Sequence, residues 1–280
     1  MEKMSESLKY CQGIMNSLES RFTDLDIPFG PDRMGKSKVG YDFNLDNFRS
    51  DNFMPSSGDT PSLLFAGCSM TFGFGVELEK TYAHRIYKHL LNKKQALRFI
   101  NIAVPGYSSI QAMLSIFDYI ELYGNPNTIV LLMPQLERDA AFFLNYTFEI
   151  NYKNQRSKED QIMDFSKYFP MFFRIYKTLY FYCKENNIRL VSSHWHETDM
   201  IFQGDRNFPN YNDFSIGYFL QHNFPDSYKN LITKDFDQRM FNYAETNKNE
   251  KNVIMGDDDD HPGNAWHYAM SKSFISEFNL

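Results

Sequence analysis

Two short stretches hold the side chains in this sequence best suited to chemistry. In "LLFAGCSMTFGFG", residues 63–75, a run of apolar residues ends at Gly67 and is followed at once by Cys68, Ser69 and Thr71. An apolar run stopped by glycine reads as a buried parallel strand at its carboxyl end, the edge on which open α/β sheets carry their ligands. Ser69 therefore stands where a nucleophile belongs. A serine hydroxyl stays weak until an imidazole takes its proton and a carboxylate orients that imidazole. The second stretch, "GDDDDHPGNAWH" at 256–267, offers both groups: His261, and Asp258 three residues earlier, whose carboxylate a turn can fold onto the imidazole Nδ1. The same acidic run also reads as a solvated turn. Cys68 is a rival nucleophile in a Cys-His arrangement, ranked below Ser69 because a residue alternating with Ser69 on the strand or turn should point the other way.

The elements that must bring these residues together follow from hydrophobic periodicity. Residues 1–22 carry Leu8, Cys11, Met15 and Leu18 at helical spacing, and a polar, irregular lead-in follows up to about residue 60. Four short apolar strands come next, at 63–66, 98–104, 128–133 and 188–193. Helical patterns separate them: Tyr82, Ile86, His89 and Leu90; a helix capped by Ser108 or Ser109; and another around 171–186. A last helix is expected after Asn264 as its cap, with Trp266, Met270, Phe274 and Ile275 facing inward. Strands alternating with helices imply a parallel sheet covered on both faces, joined by right-handed crossovers. The fold class is thus α/β: a flavodoxin-like three-layer α/β/α arrangement with a mostly parallel sheet. The division expected is a lead-in over 1–60 and one main domain over 61–280, with loops or a cap inserted near 197–252.

Composition narrows the function. The 280 residues are long enough for a sizeable core, 42% are apolar, and nowhere do eighteen run together as a membrane span needs. The first twenty residues lack the continuous apolar segment of a secretory signal, so export is not indicated and the cytoplasm is the expected location. A net charge of -6 without a basic stripe argues against nucleic acid as a partner. Cys11, Cys68 and Cys183 are odd in number and far apart, which suits reduced thiols. The 27 Phe and 18 Tyr read chiefly as a Phe-rich core, with an aromatic-lined pocket as the other reading. "HWHE" at 194–197 places His194 and His196 after the fourth strand; without a third ligand at a recognisable spacing they suggest substrate contact or packing, and no metal is expected. Core or surface roles are expected for His84, His89 and His222.

Taken in order, these blocks resemble the SGNH, or GDSL-like, hydrolase family of esterases and lipases. "AGCSMTFGFGV" resembles the family's first block, which assigns the nucleophile to Ser69. "NIAVPGYSSIQ" is similar to the second, whose glycine, here Gly106, gives a backbone N–H to the oxyanion. "DDDHPGNAWH" is similar to the last, Asp-x-x-His-Pro, which assigns Asp258 and His261 and leaves His267 on a helix position. "YDFNLDNFRSDNF", residues 41–53, resembles the lead-in of members with a "GCS" or "GDS" turn. Two departures stand out: Cys68 replaces the family's usual aspartate, and "MPQLERDAAF" replaces the third block's Gly-x-Asn-Asp. In the altered block Gln135 is an amide that can stand in as an oxyanion donor beside Ser69 and Gly106, and Arg138 can stabilise negative charge or touch substrate. The other reading of both residues is a helix cap.

The resemblance implies a serine ester hydrolase that works through an acyl-enzyme without a cofactor, on carbohydrate or lipid esters, with short acyl groups on sugars expected first. An alcohol acceptor in place of water would make it an acyltransferase. The competing class keeps the sheet as a catalytically silent glycan-binding or structural protein.

Overall fold

The computed structural model describes residues 39, 41–46, 48–54, 60–95, 98–134, 158–195, 216–257 and 261–280, with the backbone alone for 158–169 and 216. The expected helix at 1–22 lies outside them. In chain order the elements are β1 (Ser62–Gly67), α1 (Ser69–Phe72), α2 (Tyr82–Asn92), β2 (Arg98–Asn101), α3 (Ser109–Tyr123), β3 (Thr128–Met133), α4 (Lys158–Glu185), β4 (Arg189–His194), α5 (Ile216–Asn223), α6 (Lys234–Thr246) and α7 (Asn264–Phe278), with a 3₁₀ turn at Leu78–Lys80.

The four strands pair in the order β2-β1-β3-β4, all parallel. In register, Leu64 lies between Ile100 of β2 and Ile129 of β3, and Ile129 faces Leu190 of β4. Side chains alternate across the sheet. Leu64, Ala66, Ile129 and Leu131 pack on one face with Met113, Ile116, Phe172, Tyr176 and Leu220 from α3, α4 and α5. Leu63, Phe65, Val130 and Val191 pack on the other with Ile86, Phe236, Met270 and Phe274 from α2, α6 and α7. Both faces are covered, which is why the strands read as unbroken apolar runs. Each large apolar side chain so enclosed contributes roughly 1.5–3 kcal/mol relative to exposure.

The helices begin where their caps dictate. Thr81 accepts the His84 N–H at 3.2 Å to open α2, and Ser108 with Gln111 forms a reciprocal capping box at the start of α3. Asn264, expected as the cap of α7, is instead its first helical residue, and Gly263 takes the cap position. The reason lies in the chain before it: the Asn264 amide turns away to donate to Glu250 Oε2 and the Lys251 carbonyl.

The polar region near 197–252, expected as loops or a cap, lies against the body in its described part. α6 packs on α7. Residues 227–229 pair with the outer side of β4: the Ser192 N–H donates to the Ser227 carbonyl at 2.7 Å and the Lys229 N–H to the Ser192 carbonyl at 3.1 Å. That contact covers part of an otherwise open sheet edge. Among the described residues, no helix is long and apolar enough to cross a membrane.

Candidate active site

Ser69 is the first residue of α1, one step beyond the carboxyl end of β1, and it is 6% exposed. The turn that delivers it is tight. A Cβ at Gly67 would fall on the Thr71 hydroxyl and lie 2.6 Å from the Leu132 carbonyl, so only glycine fits. Cys68 precedes α1 in extended conformation, and its side chain enters the apolar cluster with Phe65 and Met70 at 0% exposure. The Ser69 hydroxyl oxygen lies 4.0 Å from the Cys68 sulfur. The Ser69 carbonyl accepts two N–H groups, from Gly73 at 2.9 Å and Phe74 at 3.0 Å.

The second loop reaches the same edge. The Val104 N–H donates to the Gly67 carbonyl at 3.3 Å, extending the β1–β2 pairing past the named strands. Val104, Pro105, Gly106 and Tyr107 then form a turn closed by the Tyr107 N–H on the Val104 carbonyl at 3.1 Å, with Gly106 at φ 91°. Proline followed by a residue of positive φ is the pattern of a type II turn, which explains the glycine. The Ser109 hydroxyl donates to the Pro134 carbonyl at 3.1 Å, joining the start of α3 to the end of β3.

His261 arrives on a turn pinned to that of Ser69. Its ring centroid is 5.0 Å from that of Phe74, tilted by 41°, and its carbonyl accepts the Gly256 N–H at 2.6 Å. The Asp257 N–H donates to the Gly75 carbonyl at 2.8 Å, and the Gly263 N–H to the Ile254 carbonyl at 2.8 Å. Ser69 and His261 therefore meet the same residue: Phe74 gives its N–H to one and its ring to the other.

The other histidines among the described residues lie elsewhere. His267 is buried in α7, where its Nδ1 accepts the Tyr82 N–H at 3.2 Å. Burial pushes its pKa down to about 3, so the ring stays neutral, with its proton on Nε2. His194, expected as a substrate contact, is 1% exposed and has its Nδ1 2.9 Å from the Tyr228 hydroxyl. Burial lowers its pKa to about 3 as well. His84 packs between Tyr87 and Phe99, His89 bonds the Leu280 carbonyl at 3.1 Å, and His222 stacks on Tyr218. Asp258, Gln135, Arg138 and His196 lie outside the described residues. Among the described residues, no three His, Cys, Asp or Glu side chains are grouped to hold a metal ion.

Two supports went unread in the sequence. Asn101 sits at the end of β2, 1% exposed, donating to the Thr71 carbonyl and accepting the Ala103 N–H, each at 3.1 Å. Arg49, from the lead-in, is 2% exposed and bonds the last carbonyl of α1 and two that follow it. A lone arginine in a polar stretch carries no periodic signal, and an asparagine closing an apolar strand reads only as a stop.

No protein-family model matches the chain, and no curated protein matches it. Solved structures do, across most of its length. Among the matching proteins are esterases and a lipolytic protein of the G-D-S-L family. The psychrotrophic esterase EstA from Pseudoalteromonas sp. is 11% identical, with 78% of this chain and 96% of that one covered, at a TM-score of 0.42. The acetyl xylan esterase AlAXEase is 16% identical, with 77% and 98% covered, at 0.44. A G-D-S-L family protein from Desulfitobacterium hafniense DCB-2 is 14% identical, with 78% and 99% covered, at 0.42. Identities this low say nothing of activity.

Proposed function

We propose that the protein is a serine ester hydrolase. In this reading the Ser69 oxygen attacks the ester carbonyl carbon as its proton passes to His261, with Asp258 holding the imidazole in the required tautomer. The oxyanion takes hydrogen bonds from the backbone N–H groups of Ser69 and Gly106 and from the Gln135 side chain. The carbon–oxygen bond to the alcohol then breaks, and His261 returns the proton to the departing oxygen. Water repeats the attack on the acyl-enzyme through the same base, releasing the acid and restoring Ser69. The substrate class is an ester of a carbohydrate or lipid, with short acyl groups on sugars first, and Arg138 and His196 belong to its surroundings.

The observation that supports this reading is the double contact of Phe74, bonded through its backbone to Ser69 and through its ring to His261. A residue from the first quarter of the chain and one from its last twenty thereby share a neighbour at the carboxyl edge of the sheet. The test is labelling by a serine-reactive fluorophosphonate, with a hydrolysis screen over acetylated sugars and short-chain aryl esters. Wild type should label and turn over. Ser69→Ala should lose labelling altogether, and Ser69→Ala and His261→Ala should each lose roughly 10⁴-fold or more in kcat. Labelling that persists in Ser69→Ala would sink the assignment.

A further inference from the structure

We infer that Arg49 and Asn101 are positioning residues for Ser69, an inference that rests on the serine-hydrolase reading above. A helix of one turn cannot hold its own first residue, because its last carbonyls have no partner within it and its nucleation is unfavourable. In α1 those carbonyls are taken from outside. Arg49 Nη1 donates to the Phe72 carbonyl at 3.2 Å and the Gly73 carbonyl at 2.7 Å, and Nη2 donates to the Val76 carbonyl at 2.8 Å. Asn101 Nδ2 donates to the Thr71 carbonyl at 3.1 Å. Four carbonyls between Thr71 and Val76 are thus answered by two side chains.

Arg49 is an unusual group to enclose. Among the described residues it forms no ion pair, and its guanidinium lies over the Tyr41 ring at 4.8 Å. Burial lowers its pKa to about 10, which leaves it charged at neutral pH. Enclosing a cation costs desolvation, offset in part by the charges of Glu79 and Asp42. The planar fork of a guanidinium, however, reaches carbonyls that an apolar side chain cannot satisfy. A Cβ at Gly73, whose φ is 78°, would fall on Thr81 Cγ2 and stand 3.1 Å from Arg49 Nη1.

The clamp reaches neighbours of Ser69, His261 and Gly106. The turn it grips contains Phe74, which touches His261, and Gly75, whose carbonyl holds Asp257. The Gly75 N–H in turn donates to the Tyr41 hydroxyl at 2.8 Å, beneath the same guanidinium. Asn101 Oδ1 accepts the Ala103 N–H at the start of the loop leading to Gly106. Releasing either side chain shifts nucleophile, base and oxyanion donor relative to one another, and a misplacement of about 1 Å is enough to cost roughly a hundredfold in rate.

The experiment compares the rate of fluorophosphonate labelling, and kcat and KM on a short aryl ester, among wild type, Ser69→Ala, Arg49→Met, Arg49→Lys and Asn101→Ala. Each is assayed below the temperature at which circular dichroism shows it unfolding. Arg49→Met and Asn101→Ala should label roughly 10–100-fold slower and lose kcat by the same factor, with KM within about threefold of wild type. Arg49→Lys keeps the charge but not the fork and should fall between them and wild type. If Arg49→Met does not fold, Arg49→Lys and Asn101→Ala decide. Wild type that labels at Ser69, beside folded variants that label as fast, overturns the positioning role alone. Wild type that does not label overturns the hydrolase reading and this role together.

Discussion

Cys68 and Ser69 are chain neighbours, both buried, and the surroundings of Cys68 argue against its acting. The Cys68 thiol is enclosed among Phe65, Met70 and Tyr82, a setting in which cysteine behaves as a small apolar residue. Cys68→Ala should therefore keep fluorophosphonate labelling within a few-fold of wild type, and native protein should leave Cys68 unalkylated by iodoacetamide; loss of labelling in that variant would return the thiol to contention. Gly67 is read just as plainly, since any side chain there meets backbone. Gly67→Ala should lower unfolding free energy in urea by about 2 kcal/mol or more and slow labelling of Ser69. Ser69 and His261 were legible as residues because glycine turns and a histidine after an acidic run carry local signals. Arg49 and Asn101 were not, because their partners are carbonyls, which leave no trace in residue type.

Among the elements, the strands were the easiest to read and the outer edge the hardest. Apolar runs at 63–66 and 128–133 match β1 and β3 because both faces of a parallel strand are buried. Their order in the sheet depends on pairings between distant segments, which no local pattern encodes. Residues 216–252 look polar because α5 and α6 each bury only one side, and the link beside β4 adds backbone and hydroxyl hydrogen bonds to the buried side chains of Phe224, Tyr228 and Leu231. Tyr176 is the centre of that link: its hydroxyl lies 2.6 Å from Ser192 Oγ and 3.2 Å from Ser227 Oγ, fully buried. Tyr176→Phe should lower stability by about 1–3 kcal/mol in denaturant titration, since two buried hydroxyls lose a partner. Hydrogen exchange should quicken at the Ser192 and Lys229 amides; unchanged exchange would mean the edge segment is held by other contacts.

For the whole molecule, the two buried histidines set a dependence on acid. His194 and His267 are both held near pKa 3 by burial, against about 6.5 in an unfolded chain. Between those values the unfolded state binds more protons, so stability falls as pH drops below about 6.5, by up to ~1.4 kcal/mol per pH unit for each histidine, and the loss ends near pH 3. Urea midpoints measured from pH 7 to pH 4 should fall steeply, and His267→Asn should flatten the curve; a midpoint level across that range would mean neither ring is held neutral. At this scale the division between chain and fold is clear. The sequence by itself determined the class of architecture and the strand positions, and it placed Ser69 at the end of the first strand, because burial and turn chemistry act over a few neighbouring residues. Only the tertiary structure decided the sheet order, the packing of 216–252, and the meeting of His261 with the turn of Ser69. Each of these rests on hydrogen bonds and ring contacts between residues far apart in the chain, whose closeness exists only after the sheet has formed.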